Sequence, residues 1–484
     1  MAPPWPAYRE TTMALHRLVA SQLIPRPLDE VFPFFADPHN LGRLTPPGMG
    51  FEFLTADRSM RSGLLIDYRL RPLAGVPVHW QTLIDAYEPP HGFHDIQAKG
   101  PYRSWEHRHT FEEVDGGTVV RDEVEYSLPL GPLGDLVHRL LVRGELASIF
   151  RHRARTIDAV FEKAGSPTGQ TIAVAGGTGF VGGGIARELR RRGHRVVVLS
   201  QNGESGRGEL PDDVEIRTAD VASDQPLGPA LEGIDALVIT LAFRNLPMES
   251  PRRGQTFERV DAGGTERLVA AAREAGVSRI AYLSGAGAAP NADRHWFRAK
   301  WRAEQAVRGS GLAWTIVRPT WVYGPRDVAL NRFLGLARRL PFVPMTNLGR
   351  QKLAPVFIDD VGRLVADCLV DDAAVGQVFE LGGPEALPMR EIIGRALRAA
   401  GIRRPVLPGP TPLLKLGALP LTLLPQPPLT PDAVDFINQP AVVDIEPLLA
   451  RMPRRLTRLD EGLRTYLGPS GTGRATLAID GRPA

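Results

Sequence analysis

The run Gly176-Gly177-Thr178-Gly179-Phe180-Val181-Gly182 separates two stretches of different character. Before it stands Gln170-Thr171-Ile172-Ala173-Val174-Ala175, short and apolar, as a buried strand is. After it a helical pattern runs through Ile185 and Leu189 to Arg192 and stops at Gly193. His194-Arg195-Val196-Val197-Val198-Leu199 then supplies a second strand. A glycine motif alone says little, but one set between strand and helix of a βαβ unit predicts dinucleotide binding. Gly176 and Gly179 let the backbone turn tightly and approach a pyrophosphate, and Gly182 lets helix and strand pack closely. With Thr178, Phe180 and Val181 they form the cradle, where the helix N-terminus presents N–H groups to phosphate.

The second strand ends Leu199-Ser200-Gln201-Asn202, without a carboxylate. An acidic residue there would bond ribose hydroxyls and repel a 2′-phosphate. Ser200, with Arg207 within reach, therefore favours NADP(H) over NAD(H) as the NAD(P) cofactor. Ala236-Leu237-Val238-Ile239-Thr240 forms a fourth strand, and Leu241 and Ala242 at its end fall where the ligand is expected. Arg279-Ile280-Ala281-Tyr282-Leu283-Ser284 is a fifth.

These blocks, with Ala219-Asp220-Val221, Arg318-Pro319-Thr320-Trp321-Val322-Tyr323-Gly324-Pro325 and Phe357-Ile358-Asp359-Asp360-Val361, resemble an extended or atypical short-chain dehydrogenase/reductase. The resemblance runs from Thr171 to about Asn438 and is of the NAD-dependent epimerase/dehydratase-like kind. Leu381-Gly382-Gly383-Pro384-Glu385 and the Pro/Leu-rich Pro405–Pro428 point to the subgroup of the dehydrogenase-like accessory subunit of respiratory complex I. The resemblance places Asp220 and Val221 beside the adenine and a small substrate lobe at the C-terminal end. It also implies a Ser-Tyr-Lys set. Ser284 and Lys300 match two members, but Trp296 stands where the tyrosine should be. Indole only donates hydrogen bonds, so the usual proton relay is broken. Tyr282, on the face of Ser284, is a substitute, and Tyr323 is another. Lys300 can also hold the nicotinamide ribose without chemistry. Three readings stay open: a reductase with a replaced acid, a non-catalytic dinucleotide sensor or scaffold, and a ligand carrier or cyclase with a regulatory Rossmann domain.

The first half has a different grammar. Strand patterns run Leu18–Ile24, Gly63–Leu70, Val78–Tyr87, Gly92–Ala98, Ser104–Glu112 and Thr118–Leu128, with a hairpin signal at Asp115-Gly116-Gly117. A long amphipathic helix is expected from Leu133 through Val137, Leu140, Leu141, Ile149 and Ile157 to Phe161. Phe93-His94-Asp95-Ile96-Gln97, Gly100-Pro101-Tyr102 and Trp105-Glu106-His107-Arg108-His109-Thr110-Phe111 resemble the START-like (SRPBCC, polyketide cyclase-like) helix-grip superfamily. That implies a hydrophobic-ligand pocket. Alternation puts Trp105, His107 and His109 on one face and brings Asp122 opposite or diagonal to His109. This pair can hold a ligand's polar group, move a proton, or simply satisfy itself inside the sheet. No third ligand stands out beside the two histidines, so no metal is expected.

The expected organisation is an α+β helix-grip domain at 13–163, a Pro/Gly linker at 164–169, and an α/β doubly wound domain with a C-terminal lobe at 170–467. The Gly/Thr/Arg-rich 468–484 reads as a disordered tail. Translation can start at Met1 or Met13. A net charge of +4 over 484 residues argues against nucleic acid as a partner. One cysteine, Cys368, excludes an internal disulfide and fits a cytoplasmic protein. The apolar Leu413–Leu424 is too short to span a bilayer, though long enough for peripheral contact. The expected partner is a small hydrophobic ligand or substrate, and the oligomeric state is open.

Overall fold

The computed structural model describes residues 14–483 except 56, 58, 74–75, 130, 168, 244–248, 252–253, 424–429 and 468–474. The chain divides into two units. One comprises Met1–Phe161 with Pro469–Ala484, the other Glu162–Gly468. The expected division at 163–164 thus falls two residues earlier, and the expected linker belongs to the second unit.

The first unit is an antiparallel sheet around a long helix. Its strands are β1 (His16–Ile24), β2 (Glu52–Phe53), β3 (Leu65–Leu73), β4 (Val76–Glu88), β5 (Gly92–Lys99), β6 (Ser104–Val114) and β7 (Gly117–Ser127). They lie in the order β2-β3-β4-β5-β6-β7-β1. The turn between β6 and β7 has Gly116 at φ 94°, which favours glycine. Two helices frame this unit, α1 (Leu28–Phe35) and α2 (Arg143–Val160). Leu146 and Phe150 of α2 pack with Leu18, Val124 and Tyr126, and Ile157 packs with Phe32, Phe111 and Val120.

Two expectations fail in this unit. The segment before α2 is helical from Pro132, but His138–Val142 is a π turn. Its additional residue rotates the apolar stripe, so Leu133, Val137, Leu140 and Leu141 face solvent while Gly134 and His138 are buried. The tail is not disordered over its described part. Ala475–Ile479 pairs antiparallel with β1, and Arg482–Pro483 pairs with it in turn. The short alternation Ala475, Leu477, Ile479 sends Ile479 fully into the core beside Leu18. That signal is one strand long and follows a run of small polar residues, so composition hides it. Residues 468–474 lie outside the described residues.

The second unit is a parallel sheet of seven strands, β8 (Thr171–Ala175), β9 (Arg195–Ser200), β10 (Glu215–Thr218), β11 (Ala236–Ile239), β12 (Arg279–Leu283), β13 (Ala313–Pro319) and β14 (Gln377–Leu381). The order is β10-β9-β8-β11-β12-β13-β14, so the chain reverses direction between β8 and β11. In such sheets ligands bind beyond the C-terminal strand ends at that switch. Helices α3 (Phe180–Arg191), α4 (Gly264–Glu274), α5 (His295–Arg308) and α6 (Ile358–Cys368) flank the sheet. The central strands are apolar on both faces, as burial on both sides requires. Cys368 is fully buried. Among the described residues no helix is long and apolar enough to cross a membrane.

Candidate functional site

The glycine run forms the turn from β8 into α3. Gly176 has φ 82°, and a Cβ there would stand 2.6 Å from the Thr240 carbonyl oxygen. At Gly182 a Cβ would meet the Gly176 carbonyl at 2.3 Å and Thr240 Oγ1 at 2.5 Å. Thr240 Oγ1 itself donates to the Ala175 carbonyl at 2.8 Å. The helix start is thus pressed against the ends of β8 and β11, and only hydrogen fits. Gly179 is exposed at the mouth of this turn. Leu241 is buried beneath it, packed with Val221, and Ala242 is exposed at the end of β11.

Asp220 is held in place: its Oδ1 accepts from the Ala222 N–H at 2.9 Å and its Oδ2 from Gln201 Nε2 at 3.1 Å. Ser200 is buried, and its Oγ accepts from the Asn202 N–H at 3.2 Å. Arg207, expected to reach a 2′-phosphate, is spent elsewhere. It makes two bonds to Glu204, at 2.8 and 2.9 Å, and two to the carbonyls of Pro211 and Val214, at 2.7 and 3.0 Å. The structural argument for NADP(H) therefore loses its cation. A different arginine, which the sequence reading missed, stands at the cradle: Arg326 Nη2 donates to the Thr178 carbonyl at 3.2 Å.

Beyond β12 the matched catalytic positions come together with two partners the sequence reading did not assign. Trp296 and Lys300 are four residues apart on α5 and share a face. Lys300 Nζ lies 2.7 Å from Asp261 Oδ1, and the carboxyl is 1% exposed. Burial raises the Asp261 pKa despite Lys300, while Asp261 outweighs burial and keeps the Lys300 ammonium above its ordinary value. Asp261 sits in a π turn, Phe257–Gly263, that leads into α4. Ser284 Oγ donates to Glu304 Oε1 at 2.6 Å, and Glu304, fully buried, is gripped by Arg318 at 2.7 and 2.8 Å. A hydroxyl has one proton to give, so Ser284 in this geometry can only accept from a substrate.

The Tyr282 hydroxyl is buried without a hydrogen-bond partner, with the Lys300 ammonium 5.5 Å from its ring centre. The Trp296 indole N–H and Thr265 Oγ1 are also buried and unpartnered. Such groups are costly unless something else satisfies them. Tyr323 is elsewhere: its hydroxyl faces the Arg458 and Leu459 carbonyls at 3.4 and 3.5 Å. An open cleft of about 390 Å³ lies beside the β12 end, lined by Ala286, Gly287, Arg294, Phe297, Gln439 and Val443.

In the first unit Trp105 packs against Trp80, Tyr102 and Tyr126. Asp122 stands directly opposite His109 in the β6–β7 register. Asp122 Oδ1 lies 3.1 Å from His107 Nε2 and 2.7 Å from His109 Nδ1, and Arg153 grips the same carboxylate at 2.9 and 3.1 Å. Asp95, outside the expected set, accepts from His109 Nε2 at 3.0 Å and lies 3.8 Å from His107 Nδ1. A third ligand-type group thus does stand beside the two histidines, contrary to expectation. It comes from β5, the neighbour of β6, and its Oδ2 is hydrogen-bonded to His109. Burial works against ionising Asp122, yet Arg153 and both imidazoles hold it well below the carboxylate range. Burial also opposes charge on both histidines. It wins at His107, whose pKa falls, and loses to Asp122 and Asp95 at His109, whose pKa rises. The cluster is largely self-satisfied, each carboxylate being held by Arg153 or an imidazole.

Residues 176–338 match a family model described as NAD(P)H-binding. Three relatives each cover a little under half of the chain. Subunit 9 of the mitochondrial NADH dehydrogenase [ubiquinone] 1 alpha subcomplex of Arabidopsis thaliana is 28% identical over 47% of this chain and 57% of its own length. The mitochondrial NADH-ubiquinone oxidoreductase 40 kDa subunit of Neurospora crassa is 30% identical over 46% and 58%. The 2-alkyl-3-oxoalkanoate reductase of Stenotrophomonas maltophilia is 26% identical over 48% and 76%. The chain spans little more than half the length of the first two. The second unit is an NAD(P)-binding Rossmann domain. It is related to those complex I subunits and to reductases.

Proposed function

We propose that the chain is an NAD(P)H-dependent reductase of a small hydrophobic carbonyl-type substrate, fused to a helix-grip domain that binds a hydrophobic ligand, in the cytoplasm. The observation that carries the reductase reading is the buried set Asp261, Lys300, Tyr282 and Trp296 at the end of β12. Two of its polar groups, the Tyr282 hydroxyl and the Trp296 indole N–H, are buried without a partner, and the Lys300 ammonium that pairs with Asp261 stands over the Tyr282 ring. A reduced dinucleotide whose pyrophosphate is held at the glycine cradle would supply a hydride. Lys300, kept protonated by Asp261, lowers the cost of taking a proton from the Tyr282 hydroxyl, which passes to the substrate oxygen. Trp296 donates its N–H to an acceptor oxygen and takes no part in proton transfer. The 2-alkyl-3-oxoalkanoate reductase among the relatives supports a β-keto substrate class. Ser200 favours NADPH, and Arg326 is positioned to attract its phosphates.

A second reading is favoured by one observation. Ser284 gives its proton to Glu304, and the phenol of the matched set is absent, so the unit can also bind the dinucleotide without turnover. NADPH oxidation by wild type, Trp296→Tyr, Tyr282→Phe and Lys300→Ala across aliphatic β-keto acids and ketones separates the two. Turnover by wild type that Tyr282→Phe and Lys300→Ala abolish supports the reductase. Tight NADPH binding with no turnover in wild type or Trp296→Tyr leaves the sensor.

A further inference from the structure

The helical segment Pro132–Val142 is mounted with its apolar side outward. Leu133, Leu136, Val137, Leu140 and Leu141 are 39 to 62% exposed. Their spacing of three and four residues aligns them into one stripe. The inner face is the polar one. His138 is buried and hydrogen-bonds the Tyr126 hydroxyl at 2.8 Å, and a Cβ at Gly134 would meet the Pro129 carbonyl at 2.4 Å. This packing against the sheet cannot be inverted without exposing His138 and driving the leucines into β7. The stripe is therefore a property of the fold.

Its charge surroundings are one-sided. Arg139 is exposed and Arg143, just past the π turn, is half-buried. The one acidic residue between 132 and 143, Asp135, is turned toward His16, 3.6 Å from its Nε2. A contiguous row of large apolar side chains flanked by cations is the pattern of a helix that lies in a membrane interface.

We infer that this face docks the first unit onto the surface of an anionic phospholipid bilayer, with the leucine stripe in the acyl boundary and Arg139 and Arg143 at the headgroups. Basic residues near such a surface add affinity that salt screens, so binding is stronger on anionic than on neutral lipid and weakens as salt rises. The inference is independent of whether the second unit turns over.

The test is co-sedimentation of the full chain with vesicles of phosphatidylcholine alone and of phosphatidylcholine containing phosphatidylserine. Wild type is expected to pellet with the anionic vesicles and far less with the neutral ones. Arg139→Gln with Arg143→Gln should lower anionic partitioning roughly thirtyfold and bring it near the neutral value. Leu136→Asp with Leu140→Asp should abolish pelleting with both. Leu136, Leu140 and Arg139 are exposed and Arg143 is half-buried, so the single variant Arg139→Gln should melt with wild type and serves as the control for folding. Where the aspartate pair does not fold, the glutamine pair decides alone. Absence of pelleting with anionic vesicles overturns the inference. So does a concentration-dependent dimer that Leu140→Asp dissociates while vesicle binding is nil, since the stripe is then a contact between copies.

Discussion

Replacing Lys300 with methionine keeps the length of the side chain and removes the cation paired with Asp261. The carboxyl is 1% exposed, so without a partner it is driven to the neutral form. In the unfolded chain the same carboxyl ionises with a value near 3.8. Holding it neutral at pH 7 then costs about 1.36 kcal/mol for each pH step between 3.8 and 7, or about 4.4 kcal/mol. At pH 5 the cost falls to about 1.6 kcal/mol. The sign follows from the direction of the shift. A carboxyl whose folded pKa exceeds its unfolded one loses stability as pH rises between the two values. With about 2.1 cal/mol/K of unfolding entropy per residue, a unit of roughly 300 residues should melt at most about 7 °C lower than wild type at pH 7 and at most about 2 to 3 °C lower at pH 5, since burial already raises the Asp261 pKa in wild type. Differential scanning calorimetry of wild type and variant across that range reads both numbers. A loss of Tm that is constant with pH, or larger in acid, refutes the reasoning, because water or another cation would then be reaching Asp261. Adding Asp261→Asn should restore a pH-independent difference.

Three other outcomes follow from the geometry. Gly182→Ala places a methyl against two oxygens of the β8 and β11 ends, so NADPH affinity measured by calorimetry should fall tenfold or more. Asp122→Asn leaves the Arg153 guanidinium buried without its counter-charge and should cost about 3 to 5 kcal/mol at pH 7. Because Asp122 titrates well below 3.8 when folded, wild type keeps that advantage above 3.8 and loses it as pH falls toward the folded value. The variant's urea midpoint should accordingly be flatter on the acid side. Truncation after Leu467 removes the strand that covers β1 and buries Ile479. The first unit should lose several degrees of Tm, and the exposed edge should promote aggregation measurable by light scattering.

The Rossmann half was legible because its signals are local. Strand, glycine turn and helix follow one another within about thirty residues, and each constrains the next. The partners of the site were not legible. Asp261 lies 39 positions before Lys300, and Glu304 finds Arg318 only because α5 and β13 meet in space. In the first unit alternation and hairpin register put Asp122 across from His109, a relation of strand pairing alone. Asp95 and Arg153 come from β5 and α2, and no periodicity in β6 points to them. The π turn at His138–Val142 escaped for a related reason: helical phase was extrapolated across the one place where it slips. Arg207 was read as free because a sequence shows a charge and not the carbonyls that claim it.

The return of residues 475–479 to β1 makes the first unit discontinuous in the chain. In effect the whole dinucleotide domain is an insertion near the C-terminal end of the first unit. During synthesis the Rossmann half can complete its sheet while the first sheet still lacks its closing strand. That strand follows the second unit in the chain and so emerges after it. Completion of the first unit's sheet is thereby made to wait for the cofactor-binding unit, an order of assembly set by connectivity.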